Sequence, residues 1–289
     1  MFTHVKDLQF DASPDGPDPA FARRFQEVLG GKWGEMTVAM QYLYQGWNCR
    51  LPGKYKDMLL SIGTEELAHV EMITTMIDRL LDVSPLTPKE AEGIGGTSAP
   101  FSHSNPQHTI ANGGGAYPVD SNGVPWSGAY ITASGNLMAD FYLNATAEMQ
   151  GRLQVARLYG MTDDPGVKDL IKFLVTRDHY HQMQWLAAIE QLKEDGLGGI
   201  PVPEAFPLEE EYEEFARTFI VASDGDKATD GLWATAEDGP DGKGPLTSSV
   251  IAAQGPVPVL PPGDPRLFGT GSGDGDGASL LQKAKDALL

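Results

Sequence analysis

Cysteine is nearly absent from this chain: Cys49 is the only one in 289 residues. A lone thiol excludes an intramolecular disulfide and fits a reducing cytoplasm. Its position at the end of an expected helix reads as buried filler, not as a nucleophile. Long apolar runs are also missing. No stretch approaches the roughly 18 consecutive apolar residues a membrane-spanning helix needs, and Met1–Asp7 lacks the apolar stretch of a secretory signal. Positive charge is scarce: 21 Lys and Arg stand against 40 Asp and Glu, a formal net charge of −19. Without a basic cluster, neither nucleic acid nor an anionic membrane is an expected partner. The length suffices for one large domain or two small ones.

What the chain does have is helical periodicity interrupted by inward-facing acids. A helix over Lys54–Leu81 carries an apolar stripe of Met58, Ile62, Ile73, Met76 and Leu80. Glu66 and His69 lie on that same stripe, because positions i and i+3 share a helix face. A carboxylate facing a core must be compensated, and a metal ion is one compensation. Alone, the pair is more often solvated or a hydrogen-bonded core histidine. Glu65 and Glu71 fall off the stripe and read as solvated, or as supports behind Glu66 and His69.

Three further helices repeat the pattern. Asp18-Pro19 opens the first as N-cap and N1, and it is expected to run to about Cys49. Gly30-Gly31 either breaks it or admits a close neighbour. Glu35 sits with Val38, Ala39, Tyr42 and Leu43. The third helix, about Tyr130–Tyr159, has Leu137, Phe141, Ala145, Glu148, Val155 and Tyr159 on one face, with Arg152 able to pair Glu148 at i,i+4. The fourth starts at Asp164-Pro165 and runs to about Lys193, with Leu170, Leu174, Asp178, His181, Trp185, Ala188 and Leu192 inward. His179, two residues from His181, points nearly opposite and reads as a surface histidine. Each acid by itself is a plausible surface group. Together they give Glu, Glu-x-x-His, Glu, acid-x-x-His on successive helices, which is the ligand plan of ferritin-like dinuclear carboxylate proteins.

The fold expected is therefore all-α: a ferritin-like four-helix bundle over residues 1–195 with a long crossover at 84–127, where His103 and His108 read as loop polar groups. Residues 196–289 read as an extended Pro/Gly-rich tail, with 271–277 of linker composition and 278–289 able to form a short amphipathic helix.

Several longer stretches go beyond spacing: Met1–His4, Leu29–Glu35, Ser61–Met72, Ser134–Asp140, Arg152–Tyr159 and Pro262–Leu267. In these the chain resembles the manganese catalases, a non-haem family, over most of its length up to about Phe268. The resemblance implies two Mn ions per chain: Glu35 and His69 on one, Glu148 and His181 on the other, and Glu66 bridging both. It implies disproportionation of hydrogen peroxide to water and dioxygen, with the pair cycling between Mn(II)2 and Mn(III)2. Tyr42 matches the family's tyrosine near the first ligand. Asp178 is the expected proton-transfer group, one methylene shorter than the family's usual Glu. The family often has a basic residue where this chain has Ala147, which implies a more open or differently closed approach to the metals. Some members bind calcium; Asp57, Ser223 and Gly225 match that site but Ser61 and Val221 do not, so calcium is not expected. A homohexamer clamped by exchanged tails is implied, against a tail folded back on its own bundle. The competing functions are metal storage on the same fold and a di-iron oxidase.

Overall fold

Asp18 caps the first helix as its sequence dictates: the carboxylate accepts from the Phe21 N–H at 2.9 Å, with Pro19 in the first turn. In this computed structural model the described residues are 3–51, 53–82, 84, 87, 106–198 and, further on, 210, 212, 218–225, 227–235, 237, 247–250, 257–261 and 263–268. The expected first helix is two: α1 spans Pro19–Gly30 and α2 spans Glu35–Asn48. The division falls at Gly31, whose backbone turns extended (φ −70°, ψ 170°), and Gly30 before it has no room for a side chain, since a Cβ there would lie 2.5 Å from the Val119 carbonyl oxygen. The crossover backbone seats against the end of α1, so the glycine pair both ends a helix and admits a close neighbour.

Helix α3 spans Gly53–Leu81, and a short helix α4, Pro106–Ile110, lies in the crossover. Helix α5 spans Leu137–Tyr159, beginning later than the expected Tyr130. Gly135 has φ +83°, which no helix accommodates, and the Asn136 side chain caps the true start by accepting from the Ala139 N–H at 3.1 Å. Gly128–Tyr130 forms a separate 3-10 turn. Helix α6, Pro165–Glu194, is capped by Asp164, which accepts from the Val167 N–H at 2.9 Å. Helices α2 and α3 pack as one pair and α5 and α6 as the other. Short connections make each pair antiparallel.

Two apolar clusters fill the bundle. One joins α1 to the C-terminal half of α3, the end of α5 and the start of α6, with Phe21, Phe25, Met72, Met76, Val155 and Leu174 among its members. The other joins α2 to the opposite ends of the same helices, through Tyr42, Leu59, Phe141 and Trp185. Between Ile62 and Met72 on α3 come Glu66 and His69; between Leu174 and Trp185 on α6 come Asp178 and His181. A polar layer thus separates two dry ones.

The second part of the crossover is pinned. The Gln26 amide donates to the Tyr117 and Val119 carbonyls at 2.7 and 2.9 Å, and His108 Nε2 lies 3.0 Å from Gln26 Oε1. His108, expected as a loop polar group, is 1% exposed, since this anchoring buries it against α1. Cys49 is half-buried at the end of α2. His103 and the possible helix at 278–289 lie outside the described residues.

The chain divides into two compact units, Met1–Pro201 with Gly263–Ser279, and Val202–Pro262 with Leu280–Leu289. In the first, helix α8 (Pro265–Phe268) is tied back by Arg157, which donates to the Leu267 carbonyl at 3.0 and 2.8 Å. In the second, β1 (Thr218–Val221) and β2 (Thr247–Val250) pair in parallel, with a short helix α7 at Leu232–Thr235 between them.

Candidate metal centre

Glu35 opens α2, Glu66 and His69 lie mid-α3, Glu148 lies mid-α5, and Asp178 and His181 lie mid-α6. All six are buried. Five form two overlapping groups, Glu35–Glu66–His69 and Glu66–Glu148–His181, in each of which one ligand atom per residue lies within 4.8 Å of the others. Glu66 belongs to both. Its Oε2 is 2.7 Å from His69 Nδ1, and its Oε1 is 2.7 Å from His181 Nδ1. Those pairs lack hydrogen-bond alignment, and both Glu66 oxygens, both His69 nitrogens and His181 Nδ1 are buried without a hydrogen-bond partner. So many orphaned buried atoms converging on one point is costly unless something else binds them. A dication facing them supplies that partner. The set of three carboxylates and two imidazoles suits Mn or Fe.

Without metal, protons carry the compensating charge. Burial, and next the Glu66 charge, push Glu35 up to about 8. Burial with Glu66 and Asp178 raises Glu148, and burial with Glu35 and Glu66 raises Asp178. Burial works against ionised Glu66 too, but His69 and His181 on either side outweigh it and hold its carboxyl low. Burial likewise opposes the charged imidazoles; Glu66 and Glu65 nevertheless lift His181 to about 10, and Glu66 with Glu35 lifts His69.

The remaining candidates are placed as follows. The Tyr42 hydroxyl donates to Glu148 Oε1 at 2.6 Å, tying α2 to α5. The same oxygen accepts from Trp185 Nε1 at 3.2 Å. The alternative partner for Glu148 is engaged elsewhere, since Arg152 donates to Gln182. Asp178 has no hydrogen bond among the described residues, and one of its oxygens would sit 3.4 Å from a Cβ at Gly151. His179 is exposed. Ala147 is 1% exposed within the second apolar cluster, so packing closes the structure at that position.

Sequence reasoning missed three contributors. Trp185 read as plain core, although a buried indole N–H usually needs a partner, and that was the available signal. Gln9 and Arg177 gave none. Both reach Glu65, the Gln9 amide at 3.0 Å and Arg177 through two bonds at 2.6 and 3.0 Å. Burial is outweighed there by bonds from His181 and Arg177, and Glu65 stays ionised well below the usual carboxylate range.

The family model for manganese-containing catalases matches residues 1–266. The chain belongs to the manganese-containing catalases. It is 50% identical over 274 residues to a manganese catalase of Bacillus subtilis, covering 93% of this chain and 98% of that one. It is 44% identical over 269 residues to one from Lactiplantibacillus plantarum, covering 92% and 98%. The solved structure of KatB, a manganese catalase from Anabaena, superposes with TM-score 0.66 over 88% of this chain and 100% of that one; at 23% identity it shows the shared fold. Membership identifies an enzyme that decomposes hydrogen peroxide and takes manganese as its cofactor, and the two carboxylate–histidine groups offer a place for a metal pair. Among the described residues no helix is long and apolar enough to cross a membrane.

Proposed function

We propose that Glu35, Glu66, His69, Glu148 and His181 hold two manganese ions per chain, Glu66 bridging them, and that two hydrogen peroxide molecules become two waters and one dioxygen there. When bound, the pair supplies the two-electron cycling between Mn(II)2 and Mn(III)2 that this balance requires. The observation carrying this reading is Glu66, whose two unpartnered oxygens each face a different histidine. A carboxylate so placed serves two centres equally.

The chain's other groups divide the work. Tyr42 and Trp185 both donate to Glu148 Oε1, the oxygen 4.0 Å from His181 Nδ1, and so fix the orientation of that carboxylate at the centre. Asp178 is buried beside Glu35 and Glu66, and burial with their charges raises its carboxyl above the ordinary range, so it holds a proton more readily than an exposed acid. It can hand that proton to a departing oxygen and recover one from the next peroxide, which is general acid–base work. The apolar clusters above and below keep bulk water from the layer. Assembly is supported by the exposed apolar residues of the second unit, Leu232, Trp233, Val257, Val259 and Leu260, which neighbouring subunits would cover; that it is a homohexamer follows from the resemblance to the family. The lone cysteine supports a cytoplasmic site of action.

Metal analysis and oxygen release on the purified full chain test this reading. The expected result is about two Mn per chain, as the bridged ligand plan requires, with oxygen evolution that cyanide barely inhibits. A chain that fills with manganese and evolves no oxygen would point to storage.

A further inference from the structure

His69 and His181 both turn Nδ1 toward Glu66, at 2.7 Å each, so both Nε2 atoms face away from the centre. On that far side stands a single carboxylate. Glu65 Oε2 is 3.1 Å from His181 Nε2, and Glu65 Oε1 is 3.8 Å from His69 Nε2. No other carboxylate among the described residues lies within salt-bridge distance of either Nε2. Glu65 and Glu66, consecutive on α3, thus bracket both rings from opposite ends. The rings themselves are nearly parallel, at 24° with centroids 5.8 Å apart, as expected of two planes held by the same pair of acids.

We propose that Glu65 is a positioning residue shared by both histidines: it accepts the Nε2–H of His181, and that of His69 once metal is bound, and so presents both Nδ1 atoms to the pair. This rests on the ligand reading above. An imidazole that binds a metal through Nδ1 must carry its proton on Nε2, and such a proton needs an acceptor that fixes the tautomer and the ring. His69 Nε2 is buried and unpartnered, so its donor has no other outlet. Glu65 is itself fixed from outside by Arg177 on α6 and by Gln9 from the N-terminal segment. Phe10 of that segment stacks at 4.6 Å on Phe173, whose ring meets His69 edge-on at 6.1 Å. The segment before α1 therefore forms an outer layer behind the histidines.

Competition titration of Mn(II) against a fluorescent chelator tests this on the full chain, comparing wild type with Glu65→Leu, Glu65→Gln and Arg177→Leu, each checked for native helical signal. Glu65→Leu removes the acceptor and should weaken both ions about 10–100-fold, the usual effect of losing a carboxylate behind a histidine ligand. Glu65→Gln keeps an acceptor oxygen and should fall between it and wild type. Arg177→Leu breaks the α3–α6 ion pair but keeps the acceptor, so its loss should be smaller than that of Glu65→Leu. Equal losses in Glu65→Leu, Glu65→Gln and Arg177→Leu would reduce Glu65 to an interhelix ion pair and overturn the proposal. So would wild-type affinity in Glu65→Leu, or loss of only one ion. If Glu65→Leu does not fold, Glu65→Ala takes its place as the variant without an acceptor, and wild-type affinity there overturns it equally. A wild-type chain that binds no manganese would instead fail the ligand reading itself.

Discussion

Glu66 is the residue on which the proposed centre rests, because each of its oxygens faces a different histidine. Glu66→Ala should therefore empty both metal positions, while His179→Ala, altering an exposed ring, should leave metal content unchanged; elemental analysis of the two proteins decides. Asp178→Asn should keep both ions yet slow turnover about 10²–10⁴-fold, the range for losing a general acid–base group, and oxygen-electrode rates across pH would measure it. The metal-free chain should also show an inverted pH response. His181 rises from its ordinary 6.5 to about 10, so its contribution to stability is complete below the lower value and lost as pH climbs through the higher. Glu35 rises from 4.5 to about 8, so the fold favours its neutral form and loses stability as pH rises between them. Glu65 and Glu66, held low, contribute above 4.5 and lose that contribution only in acid. Across 6.5–8 the first two act in the same direction, so calorimetry on the metal-free protein should show Tm falling as pH rises. Manganese affinity should rise over the same window, because binding must displace those protons.

At the scale of elements, the helices that carry the site were legible because their caps and stripes agree. Asp18-Pro19 and Asp164-Pro165 start helices where expected, and the stripes of α3 and α6 face inward as read. The boundary errors have local causes. A positive φ at Gly135 delays α5, and extended backbone at Gly31 ends the first helix where the crossover meets Gly30. Neither is visible to periodicity, which sees side-chain faces and not backbone neighbours far along the chain. Gly30→Ala tests that close approach. Alanine gains about 0.5–1 kcal/mol of helix preference, but its Cβ would stand 2.5–2.7 Å from three backbone atoms of Val119, and overpacking costs about 1–3 kcal/mol. The clash wins, so urea unfolding should show net destabilisation, with metal content intact because the site lies in the other helices.

At the scale of the whole molecule, the second unit has two paired strands and a four-residue helix among its described residues, while Leu232, Trp233, Val257, Val259 and Leu260 are exposed. Deleting residues after Gly199 and measuring mass in solution should give species smaller than a hexamer with the helical signal retained; an intact hexamer would show that the tail does not clamp it. The sequence by itself determined the helical class, the inward faces and the candidate ligand residues, because a helix of fixed pitch places i, i+3 and i+4 together whatever surrounds it. Only the tertiary structure decided how those faces meet. That includes Glu66 between two imidazoles, Tyr42 and Trp185 on one oxygen of Glu148, and Glu65 behind both histidines with Arg177 and Gln9. Apart from the Glu65–His69 and Glu66–His69 pairs within α3, these contacts join residues from 37 to 116 positions apart on different elements, and no local periodicity encodes such pairings; they exist only once the helices have packed.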